Sequence, residues 1–214
     1  SGEWTVTQGG TTDSFPAIVP GCVHLDLLKA GRLEDMNWRD NESTQQWGAE
    51  ADWVYRRIFE ASSELLSCAK VLLRCEGLDT LATVRVNGIT MRHANNMFRT
   101  WEADVRKALR EGRNELEVEF ASTIPYIAER NKAFRLPCWN SYDPRFEGKS
   151  WIRKMPCSYG WDWGLMAPTC GIWRGLELMG VPKARLVDVC VRQVHHDGAV
   201  DLNLSVTLER VAHS

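Results

Sequence analysis

From 115 to 120 the chain alternates without exception: Leu116, Val118 and Phe120 are apolar, and Glu115, Glu117 and Glu119 are carboxylates. A two-residue side-chain period exists only in extended backbone, so this stretch must be a strand with one face in a core and the other in water. The segments 71–75 and 81–86 read as two more strands joined at a turn over 76–80. Asn87-Gly88 is the dipeptide favoured in two-residue hairpins, where both positions take positive φ. Strands are also expected at 4–7, 53–59, 98–103 and 172–179. Helical pieces are few: 22–29 closed by Gly31, one turn near 105–109, and 124–133. Short antiparallel strands with so little helix predict an all-β chain, a two-sheet sandwich of jelly-roll type.

Regular patterning stops between 135 and 169, a stretch that holds Trp139, Trp151, Trp161 and Trp163 with four prolines and three glycines. A loop this long in a compact domain is usually functional. Pro182 and the following Lys183-Ala184-Arg185 mark a boundary. Beyond it, 186–193 and 200–208 form strand patterns flanking an Asp197-Gly198 turn. The expected organisation is therefore a sandwich over 1–182 and the opening hairpin of a second domain over 183–214.

Composition narrows the function. Hydrophobic content of 44%, charged content of 25% and a net charge of −2 describe an ordinary globular chain without the basic surface that nucleic acid requires. No apolar run approaches the ~18 residues of a membrane span, and no signal peptide precedes Trp4. Seven cysteines without a CxxC argue against zinc and fit a reducing compartment better than a disulfide scaffold. That leans toward a cytoplasmic location, although a Cys138–Cys157 or Cys157–Cys170 bridge in an exported protein stays open. Asn41-Glu42-Ser43 and Asn203-Leu204-Ser205 match glycosylation acceptors, a tripeptide common by chance.

Gly160-Trp161-Asp162-Trp163-Gly164 sets an acid between two indoles, and packing alone does not ask for that. An indole covers the C–H face of a pyranose while a carboxylate accepts hydrogen bonds from adjacent hydroxyls. The competing interpretation is a Trp-rich corner with Asp162 as a turn residue.

The surrounding sequence favours the first. WIRKMPCSYGWDWG from Trp151 to Gly164, with PTCGIWRGLEL from Pro168 to Leu178, resembles the β-mannosidase branch of the family 2 glycoside hydrolases. VPGCVHLDLLKAG from Val19, DNESTQQW from Asp40, DWVYRR from Asp52, GLDTLATVRVNG from Gly77 and NMFRTWEADV from Asn96 are similar to that family's amino-terminal domain, in the same order. The resemblance implies a galactose-binding-domain-like jelly roll followed by the first strands of an immunoglobulin-like sandwich, which needs about seven.

It also implies a retaining glycosidase whose two catalytic glutamates lie about 5 Å apart on a (β/α)₈ barrel of ~250 residues. No such segment is present, so the chain is expected to be the non-catalytic amino-terminal portion of a β-mannosidase that removes terminal non-reducing β-D-mannose. It would be inactive alone, without catalytic residue, metal or cofactor, and partnered by the catalytic barrel of the same chain and a β-mannoside oligosaccharide. The alternatives are a free-standing carbohydrate-binding module or a structural interdomain sandwich.

Matched to the family's motif, Asp162 falls on the aspartate that hydrogen-bonds the terminal mannose in that family, so the resemblance implies that role for it, with Trp161 beside it as pocket wall. Trp163 is expected to pack inward as a brace, with Gly160 and Gly164 permitting a tight backbone path. Arg153 and Lys154 are candidate partners for Asp162. Glu50, Asp52, Asp143 and Glu147 are assigned no catalytic role. His24 reads as packed or capping, and His195-His196 lack companions for metal or catalysis. Trp38, Trp47 and Trp53 are expected in the core or in a domain contact.

Overall fold

The structure, a computed structural model, describes residues 3–139 and 143–211. The strands begin with β1 (Trp4–Gln8), β2 (Ser14–Ala17), β3 (Trp53–Ala61), β4 (Lys70–Cys75) and β5 (Leu78–Asp79). Then come β6 (Leu81–Val86), β7 (Ile89–Ala94), β8 (Trp101–Asp104), β9 (Gly112–Ala121), β10 (Tyr159–Trp161) and β11 (Gly164–Met166). β12 (Gly171–Ile172), β13 (Leu176–Val181), β14 (Ala184–His196) and β15 (Ala199–Arg210) follow. The helices are α1 (Val23–Lys29), α2 (Asn41–Thr44), α3 (Trp47–Glu50), α4 (Ser63–Ser67) and α5 (Thr123–Ala133).

A six-stranded antiparallel sheet runs β2-β1-β3-β9-β6-β7. Its inner face supplies Val6, Tyr55, Val84, Val118 and Phe120 to a core completed by Val71, Leu73, Cys75 and Trp101 of the smaller β13-β4-β8 sheet. The chain is thus the two-sheet sandwich that its period-two patterning predicts. In β9, Leu116, Val118 and Phe120 are buried. On the opposite face Glu117 meets Arg56 of β3 and Arg85 of β6, each at 2.8 Å, so the wet face is laced by cross-strand ion pairs. Asn87 and Gly88 both hold positive φ, 50° and 79°, as a two-residue turn between β6 and β7 requires. Buried Asn114 braces that turn, accepting from Asn87 Nδ2 at 2.8 Å and from the Arg110 amide at 3.0 Å.

Three expectations change in detail, and one strand lies where none is expected. The 71–75 and 81–86 strands lie in opposite sheets, and 76–80 crosses between them through β5, which pairs with β12. Close packing sets that path: a Cβ on Gly77 would meet the Trp173 ring at 2.5 Å. The run 172–179 is two strands, β12 and β13, because Trp173 leaves the ladder to sit over that crossing, its amide donating to Gly77 O at 3.1 Å. The strand expected at 98–103 begins at Trp101. β2 escaped notice because it is short and carries Pro16, tolerated at a sheet edge. The turn at 105–109 is one helical turn, with the Ala108 and Leu109 amides donating to Val105 O at 2.9 and 3.1 Å.

β14 and β15 form a separate two-stranded ribbon with a bulge between Leu186 and Asp188. Its base is tied to the small sheet by Lys70–Glu209 at 2.5 Å and by Arg185, which reaches Glu102 at 2.6 Å and Glu209 at 2.7 Å. Leu202, Leu204, Val206 and Leu208 are exposed along it.

Candidate functional site

The loop between α5 and β12 is held by a small core of its own. Ile127 of α5 packs with Phe146, Ile152 and Tyr159, flanked by Leu81, Ile124, Tyr126 and Met166. A 3-10 helix, Pro144–Trp151, lies against α5 so closely that a Cβ on Gly148 would fall 2.3 Å from Ile127 O. Tyr159 is fully buried, its ring 5.5 Å from that of Phe146 and its hydroxyl donating to Thr123 Oγ1 at 2.8 Å. Burial raises its pKa above the ordinary tyrosine range. From this anchor β10 runs outward and β11 returns, pairing Tyr159 with Met166 and Trp161 with Gly164. Asp162 and Trp163 are therefore the two residues of the turn.

Each strand is fastened to a different part of the chain. The Met166 amide donates to Glu42 Oε1 at 2.5 Å, and Gln46 Nε2 donates to Met166 O at 2.7 Å. At the loop's base Lys154, fully buried, pairs with buried Asp79 of β5 and donates to Thr169 O at 2.8 Å. His24 Nδ1 meets Thr169 Oγ1 at 2.9 Å. Burial, reinforced by the Lys154 charge, lowers the His24 pKa to about 4, so this histidine is a neutral packing residue on α1.

Several expectations fall here. Lys154 does not pair with Asp162, because Asp79 holds it. Arg153 is exposed, and neither it nor Asp162 has an ion-pair partner among the described residues. Trp163 does not pack inward: it is 77% exposed and Trp161 36%. Faces alternate along extended backbone, but the turn at 162–163 interrupts that alternation and turns the indole outward. Of the two places expected for Trp38, the core is excluded: the residue is 62% exposed, with the Arg39 guanidinium 5.4 Å from its ring. Trp53 is buried and Trp47 packs against the core.

All seven cysteines are free. Of the acids denied a catalytic role, Glu50 and Asp143 each meet Arg145 at 2.7 Å, Glu147 meets Arg135 at 3.3 Å, and Asp52 accepts from the Ser122 amide at 2.7 Å. Thr123, Glu42 and Gln46, which with Tyr159 position the hairpin, do not stand out in the sequence. Glu42 and Gln46 lie in the DNESTQQW block, but nothing local to that block shows that it reaches a strand 120 residues away.

The two glycines differ. Gly160 sits at φ 97°, a region that side chains rarely enter, whereas a Cβ on Gly164 would meet only Trp161 Cβ at 3.8 Å. Gly160→Ala is expected to cost about 1–3 kcal/mol and Gly164→Ala almost nothing, as read by urea unfolding. Equal losses would show that φ is not what selects glycine at 160.

Two antiparallel sheets packed face to face with few helices place the chain among galactose-binding-like β-domains. The chain belongs to the glycosyl hydrolase 2 galactose-binding domain-like family, whose profile matches residues 4–174. It is similar to the beta-mannosidase of Bos taurus, with 36% identity over 183 residues covering 83% of this chain and 21% of that protein. Beta-mannosidase B of Thermothelomyces thermophilus is 35% identical over 198 residues, 90% of this chain and 22% of its own length. The crystal structure of beta-D-mannosidase from Dictyoglomus thermophilum superposes with a TM-score of 0.89 at 35% identity, covering 98% of this chain and 25% of that one. The chain thus spans about a fifth of the length of the curated relatives it matches.

Proposed function

We propose that this chain is the non-catalytic amino-terminal portion of a retaining β-mannosidase, and that the β10–β11 tip forms one wall of its mannose pocket. Asp162 would accept hydrogen bonds from the terminal mannose and Trp161 would cover its apolar face. In this reading 1–182 is the sandwich, and the ribbon within 183–214 opens an immunoglobulin-like domain.

The observation that carries the proposal is the tip itself, a carboxylate without a partner among the described residues, set between two exposed indoles on a hairpin anchored by buried and part-buried contacts. Leaving indole faces in water forgoes ~1.5–3 kcal/mol for each side chain that burial would return, so a surface that presents two of them is suited to something that covers them. The similarity to β-mannosidases supports mannose as the sugar. A retaining glycosidase also needs two carboxyl groups about 5–5.5 Å apart, and the proposal places these on a barrel elsewhere in the full-length protein.

The test compares the chain alone with the full-length protein on an aryl β-mannoside. The full-length protein is expected to turn over and the chain alone is not. Turnover by the isolated chain that survives repurification would overturn the non-catalytic assignment. A full-length protein that ignores β-mannosides but cleaves another β-glycoside would overturn the sugar.

A further inference from the structure

Arg57 is a charge where a sandwich has no ordinary use for one. Along β3 it follows Trp53 and Tyr55 at two-residue steps, which places it on the face that supplies the core, between Trp4 of β1 and Leu116 of β9 in the register. Its neighbour Arg56 points the other way and is satisfied by Glu117. Arg57 has no ion-pair partner among the described residues, its buried Nε has no hydrogen-bond acceptor, and its guanidinium lies 5.6 Å from the Trp4 ring.

Two concavities meet at this side chain. One is an apolar slot of about 140 Å³ between the sheets, lined by buried Leu73, Val86 and Leu116 and rimmed by Phe59, Leu178 and Glu177. The other is an open cleft of about 510 Å³ over Trp4, Pro16 and Ile18, with Lys29 and Glu3 at its edge. Dry apolar cavities of roughly 150 Å³ accept a benzene ring, so the slot has the volume for one ring. A guanidinium without an anionic partner favours a carboxylate, which its terminal nitrogens take in the fork geometry that guanidinium favours.

We propose that Arg57 and the slot form a second binding site, distinct from the β10–β11 tip, for a small aryl carboxylate: ring between the sheets, acid group on Arg57. Lys29 adds positive charge on the open side. Glu177 and Glu3 at the rims disfavour a ligand with more than one or two negative charges. The site is independent of the mannosidase reading, since it shares no residue with the loop.

The experiment titrates the full chain with phenylacetate while following its NMR spectrum. Shifts are expected at Phe59, Leu73, Val86, Leu116 and Leu178, saturating at about millimolar concentration for so small a ligand. Phenylacetamide, of the same shape without the charge, should bind about tenfold more weakly, and Arg57→Gln should weaken phenylacetate by a similar factor. Leu178→Trp, which fills the slot from its rim, should abolish binding and serves if Arg57→Gln does not fold. Equal binding of acid and amide, shifts confined to other residues, or no saturable shift would each overturn the proposal.

Discussion

Lys154→Met is expected to destabilise the chain by about 3–5 kcal/mol, the largest effect we foresee for a single substitution. The methionine fills much the same volume, so the loss does not come from a cavity. It comes from Asp79, a buried carboxylate that would keep its desolvation penalty and lose its cation. The carbonyl of Thr169 would lose a donor at the same time. Adding Asp79→Asn to that variant should recover part of the loss, because an uncharged group tolerates burial better than a lone ion. Urea unfolding of both variants gives the measurement. A single-variant loss under ~1 kcal/mol would mean that water reaches Asp79 and that the pair is not what closes the base of the loop.

The second large effect belongs to the full-length protein under the proposed function. Asp162→Asn should lower kcat/KM for aryl β-mannosides by at least about tenfold, since a hydrogen bond to a charged group contributes ~1.5–3 kcal/mol against ~0.5–1.5 for a neutral one. Its melting temperature should stay near that of the parent, because the side chain is exposed and supports no other group among the described residues. A fall in stability with unchanged kcat/KM is the signature of a mere turn residue and would remove Asp162 from the site.

The contrast between these two residues also shows how far the sequence could be read. Local periodicity carried the sandwich: β9 announces its buried and wet faces in six residues, and Asn87-Gly88 announces its turn. Pairing across distance left no such trace. Lys154 lies eight residues from Asp162 and looked available to it, but its partner is 75 residues away. Which strands share a sheet was hidden for the same reason, and a short segment at 76–80 reads as a turn whether it reverses the chain or crosses a core. Trp163 defies the face rule because it lies two residues past the end of β10, in the turn. The tip residues stood out by composition, an acid between two indoles, and the proposed pocket wall rests on them.

The attachment of the β10–β11 hairpin limits how this loop can change. Its outgoing strand hangs from Tyr159 and its returning strand from Glu42 and Gln46, while Lys154 secures the base. Such a hairpin behaves as a cantilever instead of a flap: displacing the tip by a few ångströms means breaking buried polar contacts in more than one place. Under the proposed function, altered sugar preference would come from exchanging side chains at 161–163 on a fixed mount, and lengthening or re-aiming the loop would first require new fastenings.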